Sequence, residues 1–239
     1  MPDRPSIRTT LVTANIGRKG ATATKVRDNI HKIRMECPGA LIGFQEIDDD
    51  DPAQELDIVD ERFRGVQPGG FRYAFAGHSE ATPIAVPSTW TITSQSVKKT
   101  CEGRAHVTPH RVVVTARCRL TSDDSFPPVV FMNGHYPFHA PDLWADCQQS
   151  WKEHVREIHD AGFTIITTRD TNRHGPMPKV HPQERQLLPS GIDRISVIPA
   201  PESSPHRVRV RAFKRPPVNL DIDGHDARAV DIRFTSLAD

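Results

Sequence analysis

The sequence has no long apolar run: its longest stretches fall well short of the ~20 residues that a membrane-spanning helix needs. That excludes an integral helical membrane protein, and mean hydropathy is low at -0.51. The first residues, Met1-Pro2-Asp3-Arg4-Pro5-Ser6, lack the apolar centre of a secretory signal, so a cytoplasmic location is the expectation. Cysteine is scarce. The four present (Cys37, Cys101, Cys118, Cys147) form no C-x-x-C pair, which excludes an ordinary zinc finger and gives no disulfide framework. They read as buried thiols of a reducing compartment. A net charge of only +1 provides no global field to gather a polyanion. Neither G-x-S-x-G nor a complete phosphate-loop motif occurs, which leaves a serine hydrolase and a P-loop enzyme unsupported. There is no repeat, heptad or low-complexity block, and 239 residues suit one domain, 1–239.

What is present is a series of short segments. Residues 8–16 read as a strand ending at Asn15, and Val26, Ile30 and Ile33 recur at helical spacing over 25–35 until Cys37-Pro38-Gly39 stops them. The nearly all-apolar 40–47 reads as a strand buried on both faces. Further strands are expected at 71–76, 83–86, 111–120, 129–133, 163–168, 192–198, 207–213 and 227–234. A long helix over 141–161 aligns Leu143, Cys147, Trp151, Val155 and Ile158. Many strands, few helices and no regular alternation indicate an α+β fold.

Five polar motifs stand at the ends of apolar runs. Glu46 follows Leu41-Ile42-Gly43-Phe44-Gln45, where an unpaired carboxylate is costly. With the amide of Asn15 it makes an oxygen set suited to Mg²⁺. In Asp170-Thr171-Asn172, residues two apart point to one side of an extended chain, so both could face one phosphate. His135, after Asn133-Gly134, and His225, in Asp223-Gly224-His225, are titratable near neutrality and suit proton transfer. Arginine dominates the cations, 23 against 8 lysines, and arginine suits bidentate phosphate contacts, although codon bias explains the excess as well. Arg207, Arg209 and Arg211 alternate with valines, as on an exposed sheet face or on a phosphate-binding stripe. Arg18 and Lys19 sit just past Asn15 in a glycine-flanked loop.

In order and spacing, Asn15, Gln45-Glu46, Asn133-x-His135, Asp170-x-Asn172 and the segment around His225 resemble the endonuclease/exonuclease/phosphatase (deoxyribonuclease I-like) superfamily. Gly191-Ile192-Asp193-Arg194-Ile195 adds a further likeness, and the match spans 11–234. The resemblance implies a four-layered α/β sandwich, with two packed mixed sheets flanked by helices and the site at one end. It implies Glu46 and Asn15 as ligands of Mg²⁺ (or Mn²⁺), Asp170 activating a water, Asn172 holding the phosphate, and His225 bearing on the transition state. It also places His135 at the leaving group or a phosphate oxygen, with Glu80 as its acidic partner. Asn133, Arg169, Arg18 and Arg209 join as substrate contacts.

Three positions depart from the family pattern: Arg169 stands for Gly, Thr171 for Phe, and Gly224 for the Asp beside the last histidine, where Asp223 could substitute. The reading is a metal-dependent phosphodiesterase, with nucleic acid as substrate and no membrane or obligate protein partner. The alternatives are a phosphatase or phosphodiesterase of a sugar, inositol or lipid phosphate, and an impaired member acting as a binding module.

Overall fold

The computed structural model describes residues 4–17, 22–47, 52–138, 140–175, 177–188, 191–220 and 226–237. Among these the chain forms β1 (Ser6–Asn15), α1 (Ala23–Glu36), β2 (Leu41–Gln45), α2 (Pro52–Phe63), β3 (Tyr73–Ala76), β4 (Ile84–Pro87), β5 (Trp90–Cys101), β6 (Arg111–Leu120) and β7 (Val129–His135). There follow α3 (Pro141–Asp160), β8 (Thr164–Asp170), β9 (Arg185–Gln186), β10 (Asp193–Ile198), β11 (Val208–Lys214) and β12 (Arg228–Ser236).

Two six-stranded sheets result, in the orders β11-β12-β1-β2-β4-β3 and β5-β6-β7-β8-β10-β9. Both are mixed. β1 and β2 run parallel in the first sheet, as do β7 and β8 in the second, and the other pairings are antiparallel. The inner faces share a core around Leu11, Val114, Ile166, Val197 and Val230. At its centre Trp90 packs edge-on against Phe126, Phe131 and Phe234.

The helices cover the outer faces, because each carries one apolar stripe. Val26, Ile30 and Ile33 of α1, with Ile58 and Val59 of α2, pack on Val12, Ala14, Phe44 and Ala229 of the first sheet. Cys147, Trp151 and Val155 of α3 pack on Val113, Val130 and Ile165 of the second. Thr22 caps α1 by accepting a hydrogen bond from Lys25 N at 3.3 Å, and Pro141 begins α3 where no donor is lost. The helix–sheet–sheet–helix order is the expected four-layered sandwich. No described helix is long and apolar enough to cross a membrane.

Three elements are absent from the sequence reading, one of them the two-residue β9 at the edge of the second sheet. β5 is polar over most of its length and lies at a sheet edge with two register irregularities, so it lacks the alternation that marks a half-buried strand. Among its described side chains α2 buries Ile58, Val59 and Phe63, and it follows the acidic stretch 48–51, which lies outside the described residues.

The sheets meet most closely where β2 crosses β7 and β8. A Cβ at Gly43 would fall 2.1 Å from Thr168 Oγ1 and 2.6 Å from Asn133 Oδ1, so only glycine fits there. Asn133 uses this contact to bolt the layers together. Its Nδ2 donates to Phe44 O at 2.6 Å and Thr82 O at 3.0 Å, while Oδ1 accepts from Gln45 Nε2 at 2.6 Å and Thr168 Oγ1 at 2.9 Å.

Candidate active site

The two parallel pairs place four polar residues at strand ends. Register sets Asn15 beside Gln45 and His135 beside Asp170, and the Gly43 contact brings these ends together from opposite sheets. Glu46, one residue past β2, turns its carboxylate toward the second sheet. His135 Nε2 lies 3.6 Å from Glu46 Oε1 and 3.7 Å from Asp170 Oδ2. One ligand atom from each of Glu46, His135 and Asp170 falls within 4.8 Å of the other two.

Asp170 and His135 are buried, whereas the Glu46 side chain is 30% exposed, so the cluster opens to solvent on the Glu46 side. Of three described non-glycine residues with left-handed backbone, two lie here, Glu46 at φ 54° and Asn172 at φ 50°, and the third is His106. Strain of this kind, ~1–3 kcal/mol each, gathers at functional sites. Gly17 makes the Glu46 turn possible, since a Cβ there would fall 1.3 Å from Glu46 O.

Asp170 is held from two sides, by Asn15 Nδ2 on Oδ2 at 2.9 Å and Asn172 N on Oδ1 at 2.8 Å. The first bond fixes the orientation of the Asn15 amide, because a carboxylate accepts only from the nitrogen end. The amide oxygen of Asn15 is then buried with no hydrogen-bond partner among the described residues. A buried, unpartnered oxygen beside two carboxylates and an imidazole nitrogen is a donor set that fits a divalent cation.

His135 is also clamped. Arg111 Nη1 sits 3.1 Å from Nδ1, and Asn172 Nδ2 sits 2.7 Å from Nε2 and 2.8 Å from Tyr136 O. Both neighbours present N–H groups, Asn172 Nδ2 being fixed as a donor by Tyr136 O, and a neutral ring accepts at only one of its two nitrogens, so only one of the two contacts is a hydrogen bond in a given tautomer. Arg111 is 9% exposed and was not legible as a site residue, because it opens a strand with no motif around it. Arg173, exposed and stacked 3.8 Å over the Trp144 ring, is a second omission; its position next to Asn172 was the available signal.

Four expected contacts are corrected. Asn133 is completely buried and its hydrogen bonds are spent joining the sheets, so it offers nothing to a substrate. Arg169 alternates with Asp170 on β8 and therefore points to the other face, where it pairs with buried Glu184 and bonds Ser196 Oγ at 3.1 Å. Glu80 makes no hydrogen bond or ion pair through its carboxylate to the described residues, and Arg111 stands at the nitrogen it was expected to partner. Arg209 shares a row with Thr235 and Ser6, nine residues from Asn15 along β1, which is about 30 Å at ~3.4 Å per residue. Arg18, Asp223 and His225 lie outside the described residues. Thr171, in place of the family's Phe, anchors the loop instead, its N and Oγ1 both donating to Ile192 O at 2.9 and 2.8 Å.

Solved structures share this architecture over nearly the whole chain. An endonuclease/exonuclease/phosphatase family protein from Bacteroides thetaiotaomicron matches with a TM-score of 0.63 at 12% identity, over 98% of this chain and 97% of that one. The chain has the deoxyribonuclease I-like fold. The same fold is found in D. rerio TDP2, solved with a single-strand DNA product (TM-score 0.61, 11% identity, 96% of this chain and 99% of that one). It is found too in a Bacteroides thetaiotaomicron mannosyl-6-phosphatase (TM-score 0.59, 12% identity, 95% and 98%). No protein-family model and no curated protein matches the sequence. Within the deoxyribonuclease I-like fold, the cluster of Glu46, His135 and Asp170 lies where β2, β7 and β8 end.

Proposed function

We propose that this chain is a metal-dependent phosphoester hydrolase of the endonuclease/exonuclease/phosphatase superfamily that cuts nucleic acid by in-line attack of an activated water. The observation that carries this reading is the buried, unpartnered Asn15 Oδ1 beside the Glu46, His135 and Asp170 cluster. Glu46 and Asn15 would hold Mg²⁺ or Mn²⁺, with His135 beside them at the leaving group or a phosphate oxygen. The bound cation supplies charge stabilisation at the phosphoryl oxygens and the leaving group.

Asp170 takes the proton of the attacking water, held in place by Asn15 Nδ2 and Asn172 N. Arg173 meets the phosphate as an exposed guanidinium, while Asn172 would reach it only by giving up its amide contacts to His135 and Tyr136 O. Asp223, His225 and Arg18 complete the proposal from segments outside the described residues. Beyond the last of these segments, Arg228 pairs with Thr13, two residues before Asn15. Four buried free thiols agree with work in a reducing cytoplasm.

The second reading, a small-phosphoester phosphatase, draws on the mannosyl-6-phosphatase of the same fold. Labelled single- and double-stranded oligonucleotides and soluble sugar and inositol phosphates, each with Mg²⁺, Mn²⁺ or EDTA, separate the two. Metal-dependent cleavage of oligonucleotides is expected, lowered about 10²–10⁴-fold by Asp170→Asn, the range of a lost general base. Phosphate release from sugar esters with nucleic acid left intact would favour the second reading. Inertness toward every substrate would contradict both.

A further inference from the structure

The helices cover only part of the outer face of the first sheet. Val12, Ala14 and Ala229 are buried under α1 and α2, but past the C-terminal end of α1 the same face carries arginines. Arg8 of β1, Arg233 of β12 and Arg211 of β11 stand directly opposite one another in a single row across three adjacent strands. Arg209 lies on the same side two residues along β11.

Beside this row is Phe213, 43% exposed, with the guanidinium carbons of Arg8 and Arg233 each 6.0 Å from its ring centroid. A cavity of about 530 Å³ opens next to it, lined by Arg8, Thr10, Pro38, Phe71, Phe213 and Asp231 among others. Asp231, the nearest acid in register, is already bound by Arg215 at 3.0 Å and Thr10 Oγ1 at 2.7 Å. Arg8, Arg209, Arg211 and Arg233 have no carboxylate partner among the described residues.

Like charges directly opposite on a sheet destabilise it. Cations on an edge strand are explained by the need to block sheet-to-sheet pairing, and β11 is an edge. That need does not extend to β12 and β1, which are interior strands. A row that continues inward without counter-charge, next to two aromatic rings and a cavity, calls for an anionic ligand with flat apolar groups.

We propose that this face binds single-stranded nucleic acid, with phosphates on the Arg8, Arg233 and Arg211 row and a base against Phe213 at the mouth of the cavity. Arg8 lies seven residues before Asn15 on β1, about 24 Å away at ~3.4 Å per residue, so this surface is separate from the hydrolytic site. The assignment does not depend on the hydrolase reading.

Fluorescence anisotropy of a labelled 20-nucleotide oligodeoxythymidylate, in EDTA so that nothing is cut, tests it. Arg8→Gln/Arg211→Gln should bind about tenfold more weakly. The slope of log affinity against log salt should shrink by about 1.4, because two phosphates of a single strand are no longer neutralised. Phe213→Ala should weaken the oligonucleotide but leave the affinity for inorganic polyphosphate unchanged. Lys152→Gln, on α3 over the other sheet, should bind like wild type, which separates this surface from a general loss of positive charge. Thermal unfolding of the double variant should be no lower than wild type, since repulsion is relieved. Failure of wild type to bind, an unchanged salt slope in the double variant, or preference for phosphatidylserine vesicles over the oligonucleotide would overturn the proposal.

Discussion

Individual atoms decide the reading of the site. The Asn15 amide has one end committed to Asp170 and the other without a partner among the described residues, and this supports reading the cluster as a cation site instead of a closed hydrogen-bond network. The sequence placed Asn15, Glu46, His135, Asp170 and Asn172 correctly at strand mouths because each ends an apolar run. It could not place Arg111, whose contact with His135 Nδ1 at 3.1 Å is made across the β6–β7 pairing and leaves no local pattern. Glu80 shows the converse, a residue chosen by family likeness that the geometry leaves out. Glu80→Gln should therefore keep phosphoester hydrolysis within about twofold of wild type, whereas Arg111→Gln should lower kcat. Steady-state kinetics of the two variants would check this, and a large loss in Glu80→Gln would restore the acid to the site.

Elements were legible where burial left a period in the chain. β2, β7, β8 and the second half of β1 are buried on both faces because helices and the opposite sheet cover them, which left apolar runs in the sequence. β5 is an exposed edge and carried no such mark. The alternation of β11 was read correctly, yet its position was not, since only register shows that Arg209 lies at the far end of β1. Pairing also explains Asn133, which reads as a site residue by motif and serves instead as the bolt between β2 and β7. Asn133→Ala should cost about 2–4 kcal/mol, because several buried partners lose their bonds at once. Thermal unfolding would then shift by roughly 5–15 °C at the 2–4 °C per kcal/mol of a chain this size. An unchanged midpoint would mean that the sheets are held together without it.

At the scale of the whole molecule, a buried ion pair and an open cluster make opposite demands. Burial opposes the charge on Glu184, but Arg169, the Val180 N–H and Ser196 outweigh it and hold the carboxyl below its usual value. A carboxyl depressed in the folded state stabilises above its unfolded value and loses that contribution as pH falls through the folded value. Glu184→Gln should therefore be about 3–5 kcal/mol less stable at neutral pH, with Arg169 left buried and unpaired. The gap to wild type should narrow in acid, and urea midpoints at several pH values would show it; a gap independent of pH would contradict the assignment. The Glu46, His135 and Asp170 cluster, in contrast, opens to solvent, and we propose that it takes up a cation. Calorimetric titration of Mn²⁺ into the wild-type protein, Glu46→Gln and Arg211→Gln tests that claim most directly. One saturable site in wild type and Arg211→Gln, lost in Glu46→Gln, is the expected result. Absence of saturable binding in wild type, or binding that survives in Glu46→Gln, would contradict it.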